Sequence, residues 1–180
     1  MLELTIPGAE CYNEATNEFL QQEDVVLRLE HSLYAISMWE AKWKKPFLSA
    51  RKKDQKTIEE FEDYIRCMTL NPEKIDPAVY RSIRREDYDK IQSYISDSMT
   101  ATWFREDNKK ESNEIITAEV VYYWLVALEI PFEVQYWHFN KMMTLIRVTS
   151  IKNQPSKKMS QNEILKQNRA ANLARRRPKL

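Results

Sequence analysis

From Ile115 to Val148 the chain reads IITAEVVYYWLVALEIPFEVQYWHFNKMMTLIRV. The first half is apolar on every side, and Glu119 and Glu129 are its only charges before Pro131 interrupts it. A second run follows, in which Phe132, Trp137, Phe139, Met142, Met143, Leu145, Ile146 and Val148 fill more than one helical face. Proline is tolerated at the first turn of a helix and not inside one. The pattern therefore predicts two helices, over 113–129 with Ser112 as cap and over 132–151, packed on each other at the centre of the domain. Trp124 and Leu145 are expected to be buried there. A membrane span is not expected, because charges at the depths of Glu119 and Glu129 are costly in lipid.

Upstream of this pair the signals are also helical. Ser32 precedes Leu33, Ile36, Trp39 or Glu40, and Trp43 at helical spacing, and Pro46 ends the run. Thr57-Ile58-Glu59-Glu60 is a capping box that opens a helix through Phe61, Tyr64, Ile65 and Met68, closed by Asn71-Pro72. Asp76-Pro77 begins a short helical turn, and Glu86 to Asp97 carries Tyr88, Ile91, Tyr94 and Ile95 on one face. The start of the chain differs. Leu2-Glu3-Leu4-Thr5-Ile6 alternates at period two before Pro7-Gly8, and Val25 to Leu29 suits its partner strand. The polar residues between them read as a loop. The expected fold is mainly α, an irregular helical bundle with a short N-terminal β element and a C-terminal basic helix.

Gly8 is the only glycine in 180 residues. Dinucleotide fingerprints, phosphate-binding loops and nucleophile elbows all need several glycines, so none is present. Glycine-rich hairpins are excluded as well, which weighs against a barrel or sandwich. Two cysteines, Cys11 and Cys67, make no disulfide framework, and residues 1–10 do not read as a secretion signal. Both fit a reducing cytoplasm.

The residues that could carry chemistry are few. His31 and His138 are the only histidines, and a zinc site built on them would need both cysteines, which stand 56 residues apart. Neither metal nor cofactor is expected. Acidic pairs such as Glu59-Glu60 and Glu62-Asp63 read as a solvated helix face, and nothing marks a nucleophile with its base. No enzyme activity is expected. Trp39 and Trp43 share a helical face with Phe47 nearby. Such residues ordinarily pack a core; the alternative is an aromatic groove for a partner, since Trp and Tyr are common interface anchors.

Charge divides the chain. Residues 152–180 hold nine Lys or Arg and one acid, Glu163, a net +8; against the overall +1 this leaves −7 for residues 1–151. Asn153-Gln154-Pro155-Ser156 reads as a linker, and Ser160-Gln161-Asn162-Glu163 as a second capping box. The domain reading is an acidic helical body, 1–151, followed by a linker and basic helical tail, 152–180. Within the tail, Lys157, Lys158, Lys166, Arg169, Arg175, Arg176 and Arg177 are the candidate partner-binding residues. The tail lacks aromatics to stack on bases, and the body would repel a polyanion, so a protein surface is the preferred partner over nucleic acid.

Several stretches together resemble a known family: Arg28-Leu29-Glu30-His31-Ser32-Leu33, Trp39-Glu40, WKKPF at 43–47, Asp63-Tyr64-Ile65-Arg66-Cys67-Met68-Thr69, Met99-Thr100-Ala101-Thr102, Ile130-Pro131-Phe132-Glu133, Trp137-His138 and Leu145-Ile146-Arg147-Val148. The chain, over roughly 25–177, resembles tail assembly chaperones of long-tailed bacteriophages, encoded near the tape-measure protein. The resemblance implies a host-cytoplasmic protein that binds the tape-measure and tail-tube proteins during tail morphogenesis and is absent from the finished particle. It carries no catalytic or metal motif. Rival readings are a structural protein of the phage tail or neck, and a nucleic-acid-binding phage regulator; self-association is compatible with all three.

Overall fold

The computed structural model describes residues 1–8, 10–13, 18–21, 23–49, 56–104 and 115–154, with positions 165, 166, 168, 169 and 172 near the C-terminus. Two compact units are present, residues 1–149 and 150–180. The fold is mainly α. Its first unit begins with β1 (Leu2–Ile6), β2 (Glu10–Asn13), β3 (Glu18–Gln21) and β4 (Val25–Leu29). Helices α1 (Leu33–Trp43), α2 (Ile58–Met68), α3 (Arg85–Ser96), α4 (Ala118–Ala127) and α5 (Phe139–Asn153) follow, with 3-10 turns at Pro72–Lys74, Pro77–Ser82 and Phe132–Tyr136.

β1 and β4 pair as expected, and the pairing is antiparallel, with Leu2 opposite Leu29 and Ile6 opposite Val25. Period-two alternation puts Leu4, Ile6, Leu27 and Leu29 into the core. The intervening polar residues do not form a plain loop, however. β2 and β3 make their own antiparallel ladder, Glu10 opposite Gln21 through Asn13 opposite Glu18. Strand β4 also gains a neighbour from the end of α2: Glu30 N donates to Met68 O at 2.9 Å and Leu70 N to Arg28 O at 2.8 Å.

α1 is the centre of this unit, because it lies against α2, α4 and the Phe132–Tyr136 turn. Leu33, Ile36 and Trp39 are fully buried on it. Ser32 caps it by accepting from Ala35 N at 3.2 Å. The Thr57 capping box of α2 forms as expected, with the Glu60 carboxylate accepting from Thr57 N at 2.8 Å and the Thr57 hydroxyl from Glu60 N at 3.2 Å.

The two apolar runs fold differently from the expectation. Ser112 lies outside the described residues, and α4 begins only at Ala118, after an extended Thr117. Its first amide is capped by Glu40 of α1, 78 residues away. The second run is broken. Residues 132–136 form a 3-10 turn, Trp137 is extended, and α5 starts at Phe139. The cause is tertiary: His138 bridges to Ser32, and Phe139 N donates to His31 O at 2.6 Å instead of to the preceding turn, so one helix cannot run through 137–138. α4 packs on α1 rather than chiefly on α5, and Trp124 and Leu145 are only partly buried. The buried positions are Ala118, Val121 and Leu125 on α4, and Phe139, Met142 and Ile146 on α5.

Glycine scarcity has a local consequence. Four described positions have positive φ, and none is glycine: Lys44, Asn71, Met99 and Glu129. Glu129 (φ 55°) ends α4 in a Schellman-type turn, with Ile130 N donating to Leu125 O at 2.9 Å. A side chain in this region costs roughly 1–2 kcal/mol, part of which glycine returns through its freer unfolded chain. Lys44→Gly and Glu129→Gly are each expected to stabilise the protein by about 0.5–1 kcal/mol. Urea melts at neutral pH check this, and unchanged or lowered midpoints would show that the side chains themselves hold these turns.

Candidate protein-interaction surface

Trp39, Trp43 and Phe47 form no open groove. Trp39 is fully buried and its Nε1–H donates to Glu60 O at 2.7 Å; Phe47 stands edge-on to it, with ring centroids 5.2 Å apart. Trp43 is half-buried, its Nε1–H donating to Asp63 Oδ2 at 2.9 Å. These aromatics are core, as their spacing ordinarily implies, and their polar edges tie α1 to α2. Glu40 completes the tie: its carboxylate accepts from Phe47 N and Ala118 N, each at 2.7 Å. Burial raises its pKa, and the two amide donors work against that rise. Lys56 closes this corner, donating to Phe47 O at 2.7 Å with its ammonium over the Phe47 ring.

The two histidines meet in the core. Their ring centroids are 5.2 Å apart, with Phe47, Tyr64 and Phe139 around His31 and Tyr94 edge-on to His138. A carbonyl only accepts, so His138 Nε2–H donates to Tyr94 O at 3.0 Å, leaving Nδ1 as a lone pair with no hydrogen-bond partner. His31 Nδ1 lies 2.5 Å from the Tyr64 hydroxyl. Burial raises the Tyr64 pKa well above its usual value, so that hydroxyl stays protonated and donates to a neutral imidazole. Burial, then the neighbouring His138, depresses His31 to about 3. Burial also lowers His138.

Two clefts adjoin, and His138 lines the first of them. One, of about 310 Å³, is lined by Glu30, Met99, Tyr136, Trp137, His138 and Lys141 together with Met1. The other, of about 240 Å³, runs past Tyr34, Met38, Arg66, Cys67, Leu70 and Pro72, and shares Glu30 and Tyr136 with the first. His138 Nδ1 and Arg66 Nε at their walls have no hydrogen-bond partner, whereas Glu30 and Cys67 are engaged or quiet. Glu30 accepts from the Tyr94 hydroxyl at 2.7 Å and pairs with the Met1 ammonium at 2.9 Å. Burial pushes the Cys67 thiol up to about 11, which keeps it protonated at neutral pH. Among the described residues no group of His, Cys, Asp and Glu is arranged to hold a metal ion, and no helix is long and apolar enough to cross a membrane.

The clefts are notable for their exposed apolar rims. Tyr34, Met38, Leu70, Tyr136 and Trp137 are each 42–57% exposed, and the Tyr34 and Tyr136 rings touch with centroids 5.4 Å apart. Phe132, four residues before Tyr136, is exposed to a similar degree. Sequence reading missed this rim. Tyr34 and Met38 form a second apolar stripe at i, i+4 on α1, a legible signal; Tyr136 and Phe132 were absorbed into a run that looked wholly internal.

Of the basic-tail candidates, Lys166 and Arg169 lie at helical, exposed positions. Lys157, Lys158, Arg175, Arg176 and Arg177 lie outside the described residues. Comparison with protein-family models, with curated proteins and with solved structures finds no match.

Proposed function

We propose that this protein is a binding protein of phage tail assembly, a chaperone for the tape-measure or tail-tube protein. The observation that supports it is the cluster of exposed aromatic and aliphatic side chains around two adjoining clefts. Tyr34, Met38, Leu70, Tyr136 and Trp137 are costly to leave in water, and large amphipathic residues of this kind anchor protein interfaces. The sequence resemblance supplies the identity of the partner, and transient occupation supplies a reason for keeping such a surface open. The basic segment would add electrostatic attraction, which speeds encounter with an acidic partner and fades with salt.

The test is co-expression with the tape-measure and tail-tube proteins encoded beside it. The protein is expected to copurify with one of them. Tyr136→Ala with Trp137→Ala should weaken that complex at least tenfold while leaving the thermal melt within the small range usual for surface changes. Mass spectrometry of finished particles should not find the protein. Stoichiometric presence there would replace this reading with the structural-protein one. A mobility shift of DNA or RNA at physiological salt, with no tail protein captured, would replace it with the regulator reading.

A further inference from the structure

Helix α4 carries a single charge, Glu119, and is otherwise free of charged side chains, yet only one side of it reaches the core. Ala118, Val121 and Leu125 are buried. On the opposite side Glu119, Tyr123, Val126 and Ala127 are exposed, Tyr123 at 68% and Val126 at 58%. Those four fall at i, i+4, i+7 and i+8, so they share one face. A surface helix whose outer side exposes Tyr123 and Val126 beside one carboxylate is an unpartnered face.

Its charge is one-signed. From Glu111 to Asn140 the chain carries five glutamates and no lysine or arginine. Glu119 opens the exposed face, and Glu129 and Glu133, both exposed, follow its C-terminal end. We infer that this face is a docking site for a basic amphipathic helix of a partner protein. Leucine-like residues would cover Tyr123 and Val126, and lysines or arginines would reach the carboxylates of Glu119, Glu129 and Glu133. Charge decides between occupants. A second copy docked through the same face would bring its own Glu119 and Glu129 against this rim, and like charges across an interface are unfavourable. Nucleic acid and anionic membrane are repelled for the same reason. The inference rests on the protein-binding reading, and it adds a second face and the chemistry of its occupant.

The probe is a fluorescein-labelled 18-residue peptide of Leu, Ala and Lys with leucines at helical spacing, measured by anisotropy against a twin with Glu for every Lys. The full chain is expected to bind the Lys peptide at least tenfold more tightly than the Glu twin, and to lose much of that binding between low and physiological salt. Glu119→Lys with Glu133→Lys should weaken binding at least tenfold, and Tyr123→Ser with Val126→Ser likewise. All four side chains are exposed, so the circular-dichroism melts should be unchanged. Lys-peptide binding that both variant pairs leave unchanged would overturn the proposal, whatever the Glu twin gains from the basic residues 152–180. So would a dimer in sedimentation that Val126→Ser dissolves, because a second copy would then be the occupant. If these arms fail while a tail protein still copurifies through Tyr136 and Trp137, the α4 inference falls and the assembly reading stands.

Discussion

Glu40→Ala is expected to destabilise the protein by about 3–5 kcal/mol, out of proportion to the size of the side chain. The Glu40 carboxylate is nearly sealed and accepts from two backbone amides, Phe47 N and Ala118 N. Removing it strands both donors in the interior, at roughly 1–3 kcal/mol each. The loss is also structural, since Ala118 is the first residue of α4 and Thr117 offers no side-chain cap. Glu40→Gln should be milder. Its carbonyl can serve one amide, while its NH₂ turns a donor toward the other. Urea unfolding gives the magnitude, and amide exchange gives the mechanism: protection should fall first at Phe47 and Ala118. A loss under about 1 kcal/mol would show that water or a neighbouring group takes over both amides.

Stability should also fall between pH 6.5 and 4.5, before most carboxylates titrate. His31 is depressed to about 3 in the folded chain, below its unfolded value of 6.5. The unfolded chain therefore takes up the proton first. The stabilisation by neutral His31 is complete above pH 6.5 and drains away as pH falls toward 3. By pH 4.5 the gap corresponds to about 2–3 kcal/mol. His138 adds to the fall in the same direction. Glu60, held below its usual value by Lys45 and the Thr57 amide, and Asp87, held by Lys90 and Arg84, lose their contributions only below about their unfolded values of 4.5 and 3.8. Glu40 acts oppositely: burial raises it, so its protonation favours the folded chain in acid. Urea midpoints across pH 7.5 to 4.5 should thus decline with a slope that His31→Gln cuts by about half. A midpoint that stays level over this range would mean that the pair is not neutral and buried as described.

Much of the architecture was legible locally. The capping box at Thr57, the alternation of Leu2–Ile6 and the proline stops at Pro46 and Pro72 all act within a few residues, so α2, β1 and the helix ends could be placed. The β2–β3 ladder was missed because its residues carry no glycine turn and little alternation. The site was less legible. Exposure of Tyr136 or Tyr123 cannot be told from burial by periodicity when a run is apolar on every face. Only the partners of the opposite face, such as Val121 and Leu125 for α4, select which third of the circumference enters the core.

The sequence by itself established the helical class, the β1–β4 pairing, the separation of an acidic first part from a basic last part, and the exclusion of glycine-dependent nucleotide sites. These are properties of composition and short-range periodicity. Where α4 starts, why α5 waits until Phe139, and why α1 rather than the most apolar run is the centre all depend on contacts distant in sequence. Glu40 capping Ala118, His138 bridging Ser32, and Phe139 N meeting His31 O each satisfy backbone groups with partners distant in sequence. A buried backbone group must find a partner, and which partner it finds is set by the folded chain as a whole.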